Sequence, residues 1–520
     1  MTKVKIEKTG KTVLSIVKYV LPLTFYITWV LYFLYLLPSS VIFPSALVTL
    51  ISTLYLFRNP LYTWLKKWPT LTSVVFLFTF FVTLWMYLKY LSFEVYAFDL
   101  GTFQQSLYTT VFSHRWFLDN PDMATFYGTH PEGYVSIWNI LFSPFMLLLL
   151  PEYALFPSPV TLFFIQALAI SSSSILLREV STGWLGESKA RVISYLWFAY
   201  PFTYFSGFYD FHLESFIPFF TFLTLLSIQR GGRLFRASSL VVYLTIIKAT
   251  PFLMIALLPW LYRKKLIGKN VVAYMFTSIF FAFFDVIMER IPYDGKLTHF
   301  YVLGVKVPLL SESYVFHYIP ILLYHLAPQL GVTILSWFVG VLFLPLFSLS
   351  ILPALVWMGG GLITGDLLYV NGFYQYGNII LPFIFLGIMD FASRHDFDLR
   401  YLIPTSLITG LVVLTLSFHY GLGFITTAYS LQVPHLNQED EGLSNFLSKI
   451  PSNASLLVSS RVFPHVADDP NAYIVTPPWV VPEYVVLNMT PSSHTFEQLR
   501  EEGYVVVYNA SNCLVMYHEK

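Results

Sequence analysis

Residues 70–92 read TLTSVVFLFTFFVTLWMYLKYLS, and residues 93–101 continue FEVYAFDLG. The first stretch is long and overwhelmingly apolar. About 20 such residues in a helix cross the roughly 30 Å hydrocarbon core of a bilayer. Lipid offers the backbone no hydrogen-bond partner, so a run of this kind must be helical. The second stretch turns polar at once and sets Asp99 at the end of the span. Runs of the same kind recur through the first 420 positions.

The whole chain agrees with this reading. Of its 520 residues 56% are hydrophobic and only 11% charged, against about 25% charged in a soluble domain. Mean hydropathy is +0.64. A membrane β-barrel would alternate apolar and polar residues, and these runs do not. Formal net charge is +1, which gives no footprint for nucleic acid. One cysteine, Cys513, rules out an intramolecular disulfide and a cysteine-rich metal cluster. The expected architecture is an α-helical polytopic membrane protein of about 13 spans, with a small α/β domain at its C-terminal end.

Lysine and arginine mark cytoplasmic loops. Lys3, Lys5, Lys8 and Lys11 place the N-terminus inside, and spans over 13–37, 40–57 and 70–92 follow. Residues 1–69 thus hold two N-terminal helices, and 70–420 form the membrane core. The long segment 93–133 falls outside. If the run 134–151 lies along the outer face rather than crossing, Arg178–Arg191 and Arg230–Arg236 both fall inside. The stretch 238–262 has basic clusters at both ends and Lys248 in its middle, which suits a hairpin of two short helices. Later spans are expected over 270–289, 331–348, 350–366, 377–393 and 401–420.

The chain then ends outside. Asn453-Ala-Ser, Asn488-Met-Thr and Asn509-Ala-Ser match the glycosylation acceptor pattern there. Within 436–520 a helix is expected over Glu441–Ile450 and another over Thr495–Glu502. Short strands are expected at Ser455–Ser459, Ala472–Val475, Tyr484–Leu487, Tyr504–Tyr508 and Cys513–Tyr517.

This topology gathers polar residues on the outer side. The first loop holds Asp99, Gly101, Asp119, Asp122 and His130. The second holds Asp210, His212 and Glu214, the hairpin tip holds Lys248, and later segments hold Arg290, Asp366, Tyr374 and Gln375. Asp99 could cap the helix that follows it. Gly101 suits close backbone approach. Lys248 lies mid-run, where an intramembrane charge marks a functional site unless it snorkels to the surface.

Phe98-Asp99-Leu100-Gly101, the stretch Phe142–Gln166 with Leu155-Phe156-Pro157-Ser158-Pro159, and Asp210-Phe211-His212 resemble the uncharacterised membrane family called domain of unknown function 2079. The wider arrangement is similar to the GT-C superfamily of integral-membrane glycosyltransferases. The resemblance runs from about residue 90 to the C-terminus. It implies a GT-C-like fold and a polyprenyl-phosphate-linked sugar as donor, with a glycan or glycoprotein as acceptor. Asp99 would then be the general base, with Lys248 and Arg290 on the departing phosphate. His130, Asp210, His212, Glu214, Tyr374 and Gln375 would bind substrate. Oxygen ligands suit Mg²⁺ or Mn²⁺, and Asp99, Asp210 and His212 would be the ligand set, but their spacing does not demand a metal. The alternatives are a lipid or solute transporter or flippase, and a non-catalytic envelope scaffold. The expected location is the cell membrane.

Overall fold

A computed structural model describes residues 20–122, 135–290, 299–302, 305–308, 331, 334–364, 367–420, 433–477, 479–488, 493–510 and 513–518. Helices dominate. They are α1 (Thr24–Phe33), α2 (Ile42–Lys67), α3 (Pro69–Leu91), α4 (Thr102–Phe112), α5 (Leu150–Leu155) and α6 (Pro159–Ala199). Next come α7 (Pro201–Phe205), α8 (Ile217–Arg230), α9 (Arg233–Leu244), α10 (Thr250–Arg263) and α11 (Val271–Arg290). The bundle closes with α12 (Leu352–Thr364), α13 (Gly377–Arg394) and α14 (Leu402–Tyr420). Proline opens α3, α6 and α7 at the first helical turn, where its missing N–H costs nothing.

Four helical stretches among the described residues are long and apolar enough to cross a membrane: Ser39–Leu56, Pro69–Leu91, Pro159–Ala199 and Gly377–Arg394. The outer face of α3 stays apolar. Phe76, Phe80 and Phe81 on α3 are about three-fifths exposed (59%, 60% and 60%). An exposed aromatic stripe of this kind is a face for lipid or another protein.

The longest helix is not straight. Gly186 takes φ +73° inside α6, a left-handed conformation that glycine adopts without steric penalty. The Trp197 indole N–H then donates to the Ile170 carbonyl at 2.9 Å. In a continuous helix those residues would stand about 40 Å apart. α6 is therefore a hairpin, and its turn carries Arg178 and Glu187, which pair with each other. The basic segment Arg178–Arg191 sits at this turn.

The run 134–151 forms no spanning helix. It breaks into 3-10 turns at Ile137–Asn139 and Pro144–Leu149. The stretch 238–262 divides into α9 and α10, with Lys248 in the break between them. The expected span 331–348 is not continuous. Leu342 and Phe343 both take positive φ, and Pro345 opens a 3-10 turn over Leu344–Phe347. Two successive residues in left-handed conformation end an α-helix. A two-stranded antiparallel ribbon, β1 (His299–Val302) and β2 (Val305–Pro308), was not expected from sequence.

The five expected C-terminal strands all form: β3 (Leu456–Val458), β4 (Ala472–Tyr473), β5 (Tyr484–Leu487), β6 (Tyr504–Ala510) and β7 (Cys513–His518). Their order is β4-β3-β5-β7-β6. β3 runs parallel to β4 and β5, whereas β7 is antiparallel to β5 and β6. Helices α15 (Gln438–Leu447) and α16 (Ser493–Glu501) accompany the sheet. Asn437 and Asp440 form a capping box at the start of α15, which satisfies two otherwise orphaned N–H groups.

The sheet packs on the segment that follows α3. Phe93 and Ala97 are buried in the same apolar cluster as Leu443, Leu456, Phe463 and Val515. Gln105 Nε2 donates to the Asp469 carbonyl at 3.0 Å, and Asn120 Nδ2 donates to the carbonyls of Pro470 and Ala472. These bonds brace the segment that carries Asp99.

Candidate active site

Asp99 lies in a single π-helical turn, Ala97–Gly101, that leads into α4. It does not cap the helix. Its Oδ1 lies 2.7 Å from His212 Nε2, and its Oδ2 accepts from the Tyr209 hydroxyl at 3.3 Å. Gly101 is required beside it. A Cβ there would stand 2.6 Å from the Phe463 ring, which is fully buried. The close approach expected at Gly101 is real, and its cause is the C-terminal sheet region pressing on the turn.

The opposing loop is held by Gln166 on α6. Its Nε2 donates to the Tyr209 carbonyl at 3.1 Å, and its Oε1 accepts from the His212 N–H at 2.9 Å. One side chain therefore fixes both ends of Tyr209-Asp210-Phe211-His212. The ring of His212 meets Asp99 at Nε2, while Nδ1 lies 3.7 Å from Glu214 Oε2. Burial disfavours the imidazolium, but the hydrogen bond and charge of Asp99, with Glu214 and Asp210 nearby, outweigh it and raise the pKa of His212. Burial raises Glu214 as well, against the pull of His212. Tyr209 is raised by burial and by the charge of Asp99.

Asp210 faces the other way. Its Oδ1 pairs with Lys89 Nζ at 3.4 Å, and its Oδ2 accepts from the Tyr96 N–H at 2.9 Å. Both members of the pair are almost wholly buried, at 1% and 2% exposure. Burial pushes Asp210 up to about 6 despite Lys89. Because its carboxylate is engaged by Lys89 and Tyr96, it does not join Asp99 and His212 as a ligand set. Among the described residues no three His, Cys, Asp or Glu side chains gather as a metal site.

A cavity of about 630 Å³ opens beside this network. His212, Glu214, Lys248, Gln375 and Asp122 supply its polar wall. Phe98, Phe103, Phe252, Trp357 and Tyr376 supply much of the apolar wall. Lys248 reaches it from the break between α9 and α10. Asp99 stands behind His212 rather than on the lining, with its side chain 18% exposed. Tyr374 packs against Tyr209 with the rings tilted, centroids 5.1 Å apart. Deeper in the wall Asp119 is fully buried and accepts from Thr102 Oγ1 at 3.0 Å. Burial and the Asp122 carboxyl push it well above the ordinary carboxylate range.

The structure thus brings Asp99, His212, Glu214, Lys248, Tyr374 and Gln375 together. Arg290 is the last residue of α11, and its side chain lies outside the described residues, as do His130 and Asp366. Lys89, Gln166 and Tyr209 were not singled out from sequence. Lys89 had a signal, since it is the one charged residue in 70–92 and charge inside a span is costly. Gln166 offered only a polar side chain in an apolar run.

A family model described as predicted membrane protein (DUF2079) matches residues 89–503. No curated protein sequence matches. Among solved structures, ArnT from Cupriavidus metallidurans bound to undecaprenyl phosphate is 14% identical. That alignment covers 86% of this chain and 98% of ArnT, with a TM-score of 0.43. The apo form of the same protein gives 13% identity, the same coverage and a TM-score of 0.42. On the strength of a family match that spans most of its length, the chain belongs to the DUF2079 family of predicted membrane proteins.

Proposed function

We propose that this chain is a membrane glycosyltransferase of the GT-C type. It would move a sugar from a polyprenyl-phosphate donor to an extracytoplasmic glycan or glycoprotein. The observation that carries the reading is the cavity that sets Lys248 and His212 on one wall, with Asp99 directly behind His212. Its aromatic and aliphatic lining suits an isoprenoid chain, and its few polar groups suit a sugar phosphate.

The acceptor hydroxyl would sit at the exposed edge of Asp99, whose side chain is 18% accessible beside the cavity wall, and the carboxylate takes its proton as the new glycosidic bond forms. His212 and Tyr209 donate to its two oxygens and fix its orientation. Lys248 stabilises the phosphate as the bond to the sugar breaks. One displacement inverts the anomeric centre. The cavity faces the outer side in this account. Arg178, Arg230, Arg263 and Arg394 mark the far ends of their helices, and such clusters belong in the cytoplasm.

The test is a transfer assay on the purified protein, with polyprenyl-phosphate sugars and a panel of acceptors. Wild type should form an inverted product, and Asp99→Asn should not. Equal product from both proteins would remove Asp99 as the base.

A further inference from the structure

The end of the bundle opposite Asp99 carries a second pocket, of about 320 Å³. Two helices locate it. α10 begins two residues after Lys248 and ends at Arg263, about 21 Å along its axis. α13 begins two residues after Gln375 and ends at Arg394, about 27 Å along. The pocket lies where both helices end, so it belongs to the other membrane face.

Arg263, Lys264 and Arg394 line it together with a single acid, Asp390. Asp390 is 3% exposed and is held by Lys264, by Arg394 at 3.2 Å and by the Ser348 hydroxyl at 2.6 Å. It neutralises one positive charge and leaves two. Arg263 is exposed and makes no ion pair among the described residues. Trp260 in the same wall is 1% exposed, and its indole N–H has no acceptor among the described residues. A buried donor without an acceptor costs about 1–3 kcal/mol, so an arriving acceptor atom would be favoured there.

The rim is apolar. Phe347 is 64% exposed and Leu346 is 43% exposed. Excess positive charge, an orphan donor and an apolar rim at a membrane face together describe a seat for an amphiphilic anion. We infer that this pocket binds the phosphate head group of an anionic membrane lipid, with the acyl chains lying along Leu346 and Phe347. Basic pockets between helices on the cytoplasmic side suit such head groups. The site is separate from the cavity at Asp99.

The test uses the full chain, stripped of lipid in detergent and reloaded with phosphatidylglycerol or phosphatidylcholine. Native mass spectrometry reads retained lipid, and thermal unfolding reads protection. Phosphatidylglycerol should stay bound and raise Tm, and phosphatidylcholine should not. Arg263→Ala breaks no ion pair among the described residues and should weaken phosphatidylglycerol retention about fivefold. Trp260→Phe, which keeps an aromatic ring but lacks the N–H, should weaken it too. Equal retention of the two lipids, or unchanged retention in Arg263→Ala, would overturn the proposal. So would equal protection by inorganic phosphate.

Discussion

His212 Nε2 lies 2.7 Å from Asp99 Oδ1, joining two loops that are 113 residues apart in sequence. The contact ties the first polar loop to the second, and it turns the imidazole edge toward the cavity. Without it, among the described residues, the longer bond from Tyr209 is left to hold the orientation of Asp99.

Replacing His212 should therefore damage catalysis more than folding. His212→Asn is expected to lower kcat about 100-fold, the cost of a misplaced catalytic group. Donor KM should change less. Steady-state transfer kinetics check this.

The same contact sets a pH dependence. The folded pKa of His212 is raised above its ordinary 6.5. The stability contributed by the imidazolium is thus fully present below 6.5 and is lost as pH rises through the higher folded value. Thermal unfolding against pH should show wild type losing more than His212→Asn as pH rises from 6.5 through that folded value. Parallel curves would contradict it.

Lys248→Met keeps the bulk of the side chain and removes its charge. If the ammonium steadies the departing phosphate, kcat should fall about 10²–10³-fold. A change in KM alone would assign Lys248 to ground-state binding.

Lys89 and Asp210 form a buried pair that fixes the loop from behind. Lys89→Met leaves a carboxylate buried without its partner and should cost about 3–5 kcal/mol. The double variant Lys89→Met, Asp210→Leu should recover much of that loss. Thermal unfolding of the two variants beside wild type distinguishes a structural pair from a catalytic one.

Gly101→Ala should destabilise by about 1–3 kcal/mol, because Phe463 has no room to retreat. Phe463→Leu in the same chain should relieve part of it.

The helical character of this chain was legible because lipid-crossing length and apolar composition leave a strong signal. The C-terminal strands were legible too, since short β-rich segments alternate there with turn residues. The break at Leu342–Phe343 was not, because the run stays apolar through it and a backbone reversal carries no composition signal. The hairpin in α6 rests on Gly186, one glycine among 26 in the chain. At the site, Asp99, His212 and Lys248 stood out as charge beside apolar runs. The direction in which Asp210 points could not be read, because it depends on Lys89 arriving from 121 residues away. Nor could the Asp99–His212 bond, which depends on how the π turn and the Gln166 clamp orient two loops.

The most direct test is the release of free polyprenyl phosphate from a polyprenyl-phosphate sugar, measured with acceptor present for wild type and Asp99→Asn. The account predicts acceptor-dependent release by wild type and a loss of about 10²–10⁴-fold in the variant. Release at the same rate from both proteins would contradict it.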